Sequence, residues 1–250
     1  MIKGIEIFKD FFKEYKDQYV LIGGAACDII MEETGSGFRA TKDLDIVLIV
    51  EALTPEFGKT FWNFINEGRY RNKSRSSGEP QFYRFDKPET PGFPYMIELF
   101  SRMPFEMGRE NKILVPVHID DEVSSLSAIL LNDAYYQMLL DGRTEVEGLI
   151  ILNPVFIIPF KAKAWLDLTD KRNRGMNVDE KDIRKHKNDI ARLAVVLDGN
   201  DSILLPEDVR EDMDVFLNQY EREPVDLKNL QIKDITNAGI IRRLRDVYQL

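Results

Sequence analysis

Apolar positions recur at two different periods along this chain, and the switches between them mark its elements. Ile5, Phe8, Phe11, Phe12 and Tyr15 recur at helical spacing, which predicts an amphipathic helix over residues 2–17. Tyr19–Ile22 is a short apolar run expected as a buried strand. Gly23-Gly24 then turns the chain into a helix carrying Ala25, Ala26, Ile29 and Ile30, which stops at Gly35-Ser36-Gly37. Residues 43–50 alternate: Leu44, Ile46, Leu48 and Val50 take the core face, and Asp43 and Asp45 the other. Thr54-Pro55-Glu56 offers a hydroxyl N-cap, a proline at N1 and an acid in the first turn, predicting a helix that Gly68 ends. Period-2 patterns return in QFYRF, in residues 95–100 and in residues 113–119, where Pro116 suggests a sheet edge. Ser124 or Ser125 is expected to cap a helix running through Leu140 and closed by Gly142.

After the apolar run 148–152 the pattern is helical to the end. Asn153-Pro154 restarts it, Pro159 is expected to kink or break it, and residues 160–169 form the helix that follows. Further helices are expected over residues 179–197, after Leu205-Pro206-Glu207, and over 236–249. The expected fold class is therefore α+β: residues 1–150 form a mixed β-sheet with flanking helices, and residues 151–250 form a C-terminal helical bundle.

Composition narrows the chemistry. The 44% hydrophobic and 31% charged residues are ordinary for a globular protein. The longest apolar run, residues 148–160, is interrupted by Asn153, Pro154 and Pro159 and is too short to span a bilayer, so no membrane association is expected. The N-terminal segment alternates charges and lacks the apolar core of a cleavable signal, which gives the cytoplasm as the expected location. With Cys27 as the only cysteine, and with His118 and His186 far apart, thiolate and histidine-rich metal sites are excluded. The formal charge of −9 argues against binding nucleic acid over the whole surface, though not against a local basic groove. RYRNKSR puts Arg69, Arg71, Lys73 and Arg75 at alternate positions. If extended, it is either a charge-protected edge strand or a docking strip for a polyanion.

The informative constellation is the pair Asp43 and Asp45 with Gly23-Gly24 upstream. Carboxylates two apart on a strand project side by side, roughly 7 Å apart, and in a partly buried site they repel unless cations sit between them. Magnesium suits oxygen donors whose shell is completed by phosphates. The diglycine, at a helix N-terminus, offers bare N–H groups and the positive end of a dipole to a phosphate. Glu98, on a later strand among apolar neighbours, is costly without a partner. It is the candidate third ligand, with Asp86 and Glu89 as fallbacks in the loop that feeds the strand.

The order Gly23-Gly24, a spacer, then Asp43-Leu44-Asp45-Ile46 resembles the signature of the DNA polymerase beta-like nucleotidyltransferase superfamily. Arg39 and Thr41 look like the RxT that precedes the paired aspartates in small bacterial members, and Glu98 fits the place of the third carboxylate. In the second half, Phe160 to Trp165 and the helix after it look like later motifs of AbiEii/AbiGii-type toxin nucleotidyltransferases. On that likeness Lys161 is the lysine that faces the triphosphate and Asp189 the further aspartate, with Lys187 beside it. A structural ion pair of Asp189 with Lys161 or Arg192 is the competing reading. The resemblance implies two Mg2+ ions on Asp43, Asp45 and Glu98, and transfer of an NMP from an NTP to an acceptor hydroxyl with release of pyrophosphate. It further implies an antitoxin protein partner. The acceptor, a tRNA end, a protein or a small molecule, stays open. The alternatives are an inactive nucleotide-binding or interaction module of the same fold and a metal-dependent phosphohydrolase.

Overall fold

The structure, a computed structural model, describes residues 2–33, 35, 41–72, 84–102, 105–106, 113–114 and 129–250. They form two compact units: Met1–Leu131 with Arg143–Leu152, and Asn132–Gly142 with Asn153–Leu250. The class is α+β.

The first unit is built on a six-stranded mixed sheet. Its strands are β1 (Tyr19–Ile22), β2 (Asp43–Leu48), β3 (Arg84–Asp86), β4 (Met96–Phe100), β7 (Arg143–Val146) and β8 (Leu149–Leu152), in the order β3-β4-β2-β1-β8-β7. The β2/β4 and β1/β8 pairs are parallel and the others antiparallel. A separate antiparallel pair joins β5 (Phe105–Glu106) to β6 (Ile113–Leu114). β6 covers the start of the strand expected over 113–119, and the rest of that stretch, with Pro116 and His118, lies outside the described residues.

Helices α1 (Ile5–Phe12), α2 (Gly23–Glu33) and α3 (Pro55–Gly68) flank the sheet. The stripe read at the N-terminus is real but shorter than expected, and it buries Ile5, Phe8 and Phe12. Phe12 meets Phe57 of α3 at 5.4 Å between ring centroids and Phe64 at 5.5 Å, so an aromatic core joins the two helices. α3 begins as its sequence demands: the Thr54 hydroxyl accepts from the Phe57 N–H at 3.2 Å. It ends in Arg69, which takes the left-handed conformation at φ 50°. Arg69 is thus a helix C-cap and not part of a basic strand, and Arg71 makes an isolated bridge to Asp86. Lys73 and Arg75 fall outside the described residues.

Two further expectations in this unit are corrected. Val50 lies in a 3-10 turn, Val50–Ala52, because the buried Gln18 pins the chain there: its carbonyl accepts from the Ile49 N–H and its side chain from the Thr54 N–H. β7 was not anticipated, since its residues are alternately exposed and lack an apolar face. Glu147 and Gly148, both at positive φ, make the two-residue turn that pairs it with β8.

The described second unit is helical: α4 (Asp133–Asp141), α5 (Pro154–Asn173), α6 (Glu180–Val196), α7 (Glu207–Arg222) and α8 (Asn237–Tyr248). The helix expected through Leu140 is interrupted at Asn132, whose side chain accepts from the Ala134 and Tyr135 N–H groups and starts α4 afresh. The expected break at Pro159 does not occur, and α5 runs through it for 20 residues. A proline withholds the N–H that the carbonyl four residues back needs. Here that carbonyl belongs to Val155, and the buried Tyr248 hydroxyl of α8 donates to it at 2.7 Å. The tertiary structure supplies the donor that the local sequence removes.

Candidate functional site

The strand register assembles the carboxylates. In the parallel β2/β4 pair Asp43 stands opposite Met96 and Asp45 opposite Glu98, so Asp43, Asp45 and Glu98 share one face of the sheet. Leu44, Ile97 and Leu99 are buried on the other face. In the antiparallel β1/β2 pair Ile22 stands opposite Asp45, so β1 ends and α2 begins beside that aspartate. Gly23 has φ +65°, and a Cβ there would overlap the Asp45 carboxylate at Oδ2. Only glycine admits both the conformation and the approach. The Asp45 carboxylate consequently sits at the positive end of the α2 dipole. Gly24 is buried one residue further on. Thr41 is half-buried two residues before β2, and Arg39 lies outside the described residues.

Glu98 has a partner that the sequence did not reveal. Arg84 of β3 is its register partner on the outer side, and its Nε and Nη2 reach Glu98 Oε1 at 2.6 and 2.5 Å. The signal was present in QFYRF, where alternation puts Arg84 on the polar face between Tyr83 and Phe85. The pairing of that strand with residues 96–100 was not readable. Asp86, a fallback ligand, stands opposite Met96 on the same face as Arg84.

As donors, three carboxylates suit a hard divalent cation. Among the described residues, however, no three His, Cys, Asp or Glu side chains gather closely enough to hold one ion. Glu98 is paired instead with Arg84 through Oε1, while Asp43 and Asp45 stand beside it on the same sheet face.

The residues singled out in the second half lie in the second unit. Lys161 of α5 donates to Asp189 Oδ2 of α6 at 2.9 Å, with Arg192 at 3.7 Å from the other carboxylate oxygen. Lys161 is 5% exposed and Asp189 not at all. This is the ion-pair geometry, in which each charge neutralises the other away from water. Lys187 donates to the Glu223 carbonyl at 2.5 Å and lies 5.2 Å from the centre of the Trp165 ring, and burial lowers its pKa. It lines a cleft of about 790 Å3 with Trp165, Arg172, Arg184 and Arg222. Lys163 bridges Asp212 at 3.2 Å and Asp167 at 3.4 Å. Burial pulls its pKa down, but the two carboxylates outweigh that and raise it.

No protein-family model matches this sequence, and no curated protein aligns with it. Among the described residues no helix is long and apolar enough to cross a membrane.

Proposed function

We propose that the first unit is a nucleotidyltransferase catalytic unit of the DNA polymerase beta-like kind, followed by a helical C-terminal unit, and that it transfers an NMP from an NTP to an acceptor hydroxyl. The observation that carries this reading is the register, which sets Asp45 beside Glu98 on neighbouring parallel strands, with Asp43 on the same face and Gly23 against the Asp45 carboxylate. Asp43 and Asp45 would hold Mg2+ directly, and Glu98 would complete the shell on the acceptor side. The ions, when bound, supply Lewis-acid activation of the acceptor hydroxyl and charge neutralisation on the leaving pyrophosphate. The missing Cβ of Gly23 leaves room for the Asp45 carboxylate, and the bare N–H groups at the start of α2 would offer the phosphate chain its seat. Glu98, once released from Arg84, accepts hydrogen bonds or metal on the side where the acceptor enters. The AbiEii-type likeness adds a toxin role and an antitoxin partner. The acceptor is a tRNA end, a protein or a small molecule.

The test is direct. The protein, incubated with labelled NTPs, Mg2+ and cell RNA or lysate, should label an acceptor and release pyrophosphate. Asp43→Asn or Asp45→Asn should reduce that labelling by on the order of 10³-fold, the several kcal/mol that a metal cluster supplies, while circular dichroism stays unchanged. Undiminished turnover in both variants sinks the assignment.

A second reading, an inactive nucleotide-binding or interaction module of the same fold, is favoured by two observations: Glu98 is engaged by Arg84, and Lys161 is buried against Asp189. Mg2+-dependent NTP binding without pyrophosphate release selects it.

A further inference from the structure

Three side chains stand in a row across three adjacent strands on one face of the sheet. Arg84 of β3 is the register partner of Glu98 of β4, and Glu98 is the register partner of Asp45 of β2. Asp43 completes the face two residues before Asp45. The sheet thus lines up one guanidinium with three carboxylates. Arg84 is a third exposed and Glu98 only 12%, so the pair is formed where solvent screens it weakly. Both Arg84 donors converge on one oxygen, Oε1, at hydrogen-bonding distances of 2.5 and 2.6 Å. Charge-assisted bonds of this kind are the strong ones.

We infer that Arg84, by holding Glu98 Oε1 and placing its positive charge beside this carboxylate face, lowers the affinity of the face for a divalent ion. This rests on the metal-binding reading of Asp43, Asp45 and Glu98. A guanidinium is always charged and stands opposite Glu98 in the register, so it offsets the Glu98 charge whenever no divalent ion is bound. An ion that takes Glu98 Oε1 displaces two charge-assisted hydrogen bonds, and one that takes the other carboxylate oxygen meets the positive guanidinium close by. Either cost is subtracted from the apparent metal affinity. Arg84 acts through Glu98 and is a positioning residue, not a ligand.

The test titrates Mn2+ alone into the full chain, by calorimetry or by the paramagnetic signal of free Mn2+, without nucleotide and without an activity readout. Arg84→Gln removes the competitor and should bind Mn2+ about tenfold tighter than the unaltered protein, the effect of losing a hydrogen bond to a charged group. Its metal-free form should melt earlier, and Mn2+ should restore the melting temperature. Arg84→Lys keeps the charge but not the fork, and should fall between the two. It also serves as the measured variant if the glutamine form does not fold. Affinity equal to or weaker than the unaltered protein in the folded Arg84 variants overturns the inference, provided Asp45→Asn and Glu98→Gln weaken binding. If Asp45→Asn and Glu98→Gln leave Mn2+ binding unchanged, the metal-binding reading itself fails and takes this inference with it.

Discussion

A single methyl group at Gly23 probes the site more sharply than any charge change. Gly23 and Gly35 both have positive φ, at +65° and +70°, but a Cβ at Gly35 meets nothing within 4 Å whereas one at Gly23 overlaps the Asp45 carboxylate. Gly35→Ala should therefore cost only the backbone share, about 1–2 kcal/mol. Gly23→Ala should cost more, by about 1–3 kcal/mol for displacing a charged group from its partners. Denaturant titration of the two variants measures the difference; equal costs would mean that Asp45 does not lean on Gly23. At this scale the sequence carried the acids well. Period-2 alternation alone put Asp43 and Asp45 on one face, and the cost of a carboxylate among apolar neighbours flagged Glu98. It could not carry Arg84, because which strand lies beside which is a tertiary fact absent from local periodicity. The same limit applied to Lys161 and Asp189, which lie on different helices and whose pairing was readable only as one of two options.

Caps and breakers decided which helices were legible. The start at Thr54 was visible because its side chain accepts from the first turn, and the structure shows the same kind of bond at Asp179 and Thr236, where the sequence was read for helical pattern alone. Pro159 misled because its effect is repaired from 93 residues away, by the Tyr248 hydroxyl on the Val155 carbonyl. That repair makes a quantitative expectation. Tyr248→Phe strands a buried carbonyl and should destabilise the protein by about 1–3 kcal/mol. In a Pro159→Ala background the helix regains its own N–H donor, so the same substitution should cost markedly less. A double-mutant cycle by thermal or chemical denaturation reads the coupling directly, and strict additivity would show that the hydroxyl is not replacing the missing amide. β7 was missed for the opposite reason: it has no apolar face to read, and it exists because its turn and its partner strand hold it.

For the whole molecule, the two compact units are interleaved along the chain: α4 belongs to the second, and the β7–β8 hairpin after it returns to the first. α4 buries Tyr135, Tyr136, Met138 and Leu139, with the Tyr135 ring 5.3 Å from Phe160 and its hydroxyl donating to Asp212 at 3.0 Å. A chain ending at Leu152 keeps this helix but loses its partners. It should bind a hydrophobic dye and aggregate, whereas the same chain with residues 132–142 replaced by a Gly/Ser linker should stay dispersed. Equal behaviour of the two would show that α4 does not depend on residues 153–250. The interleaving also orders events during synthesis. β1 is made early, yet the strand on its second flank, β8, emerges about 130 residues later, with Leu21 finally beside Ile151. Until then a nascent chain carries an apolar ribbon open along one side, the kind of distant parallel pairing that closes slowly, and a longer exposure to chaperones is the expected cost of separating the sheet's central strand from its flank by so much chain.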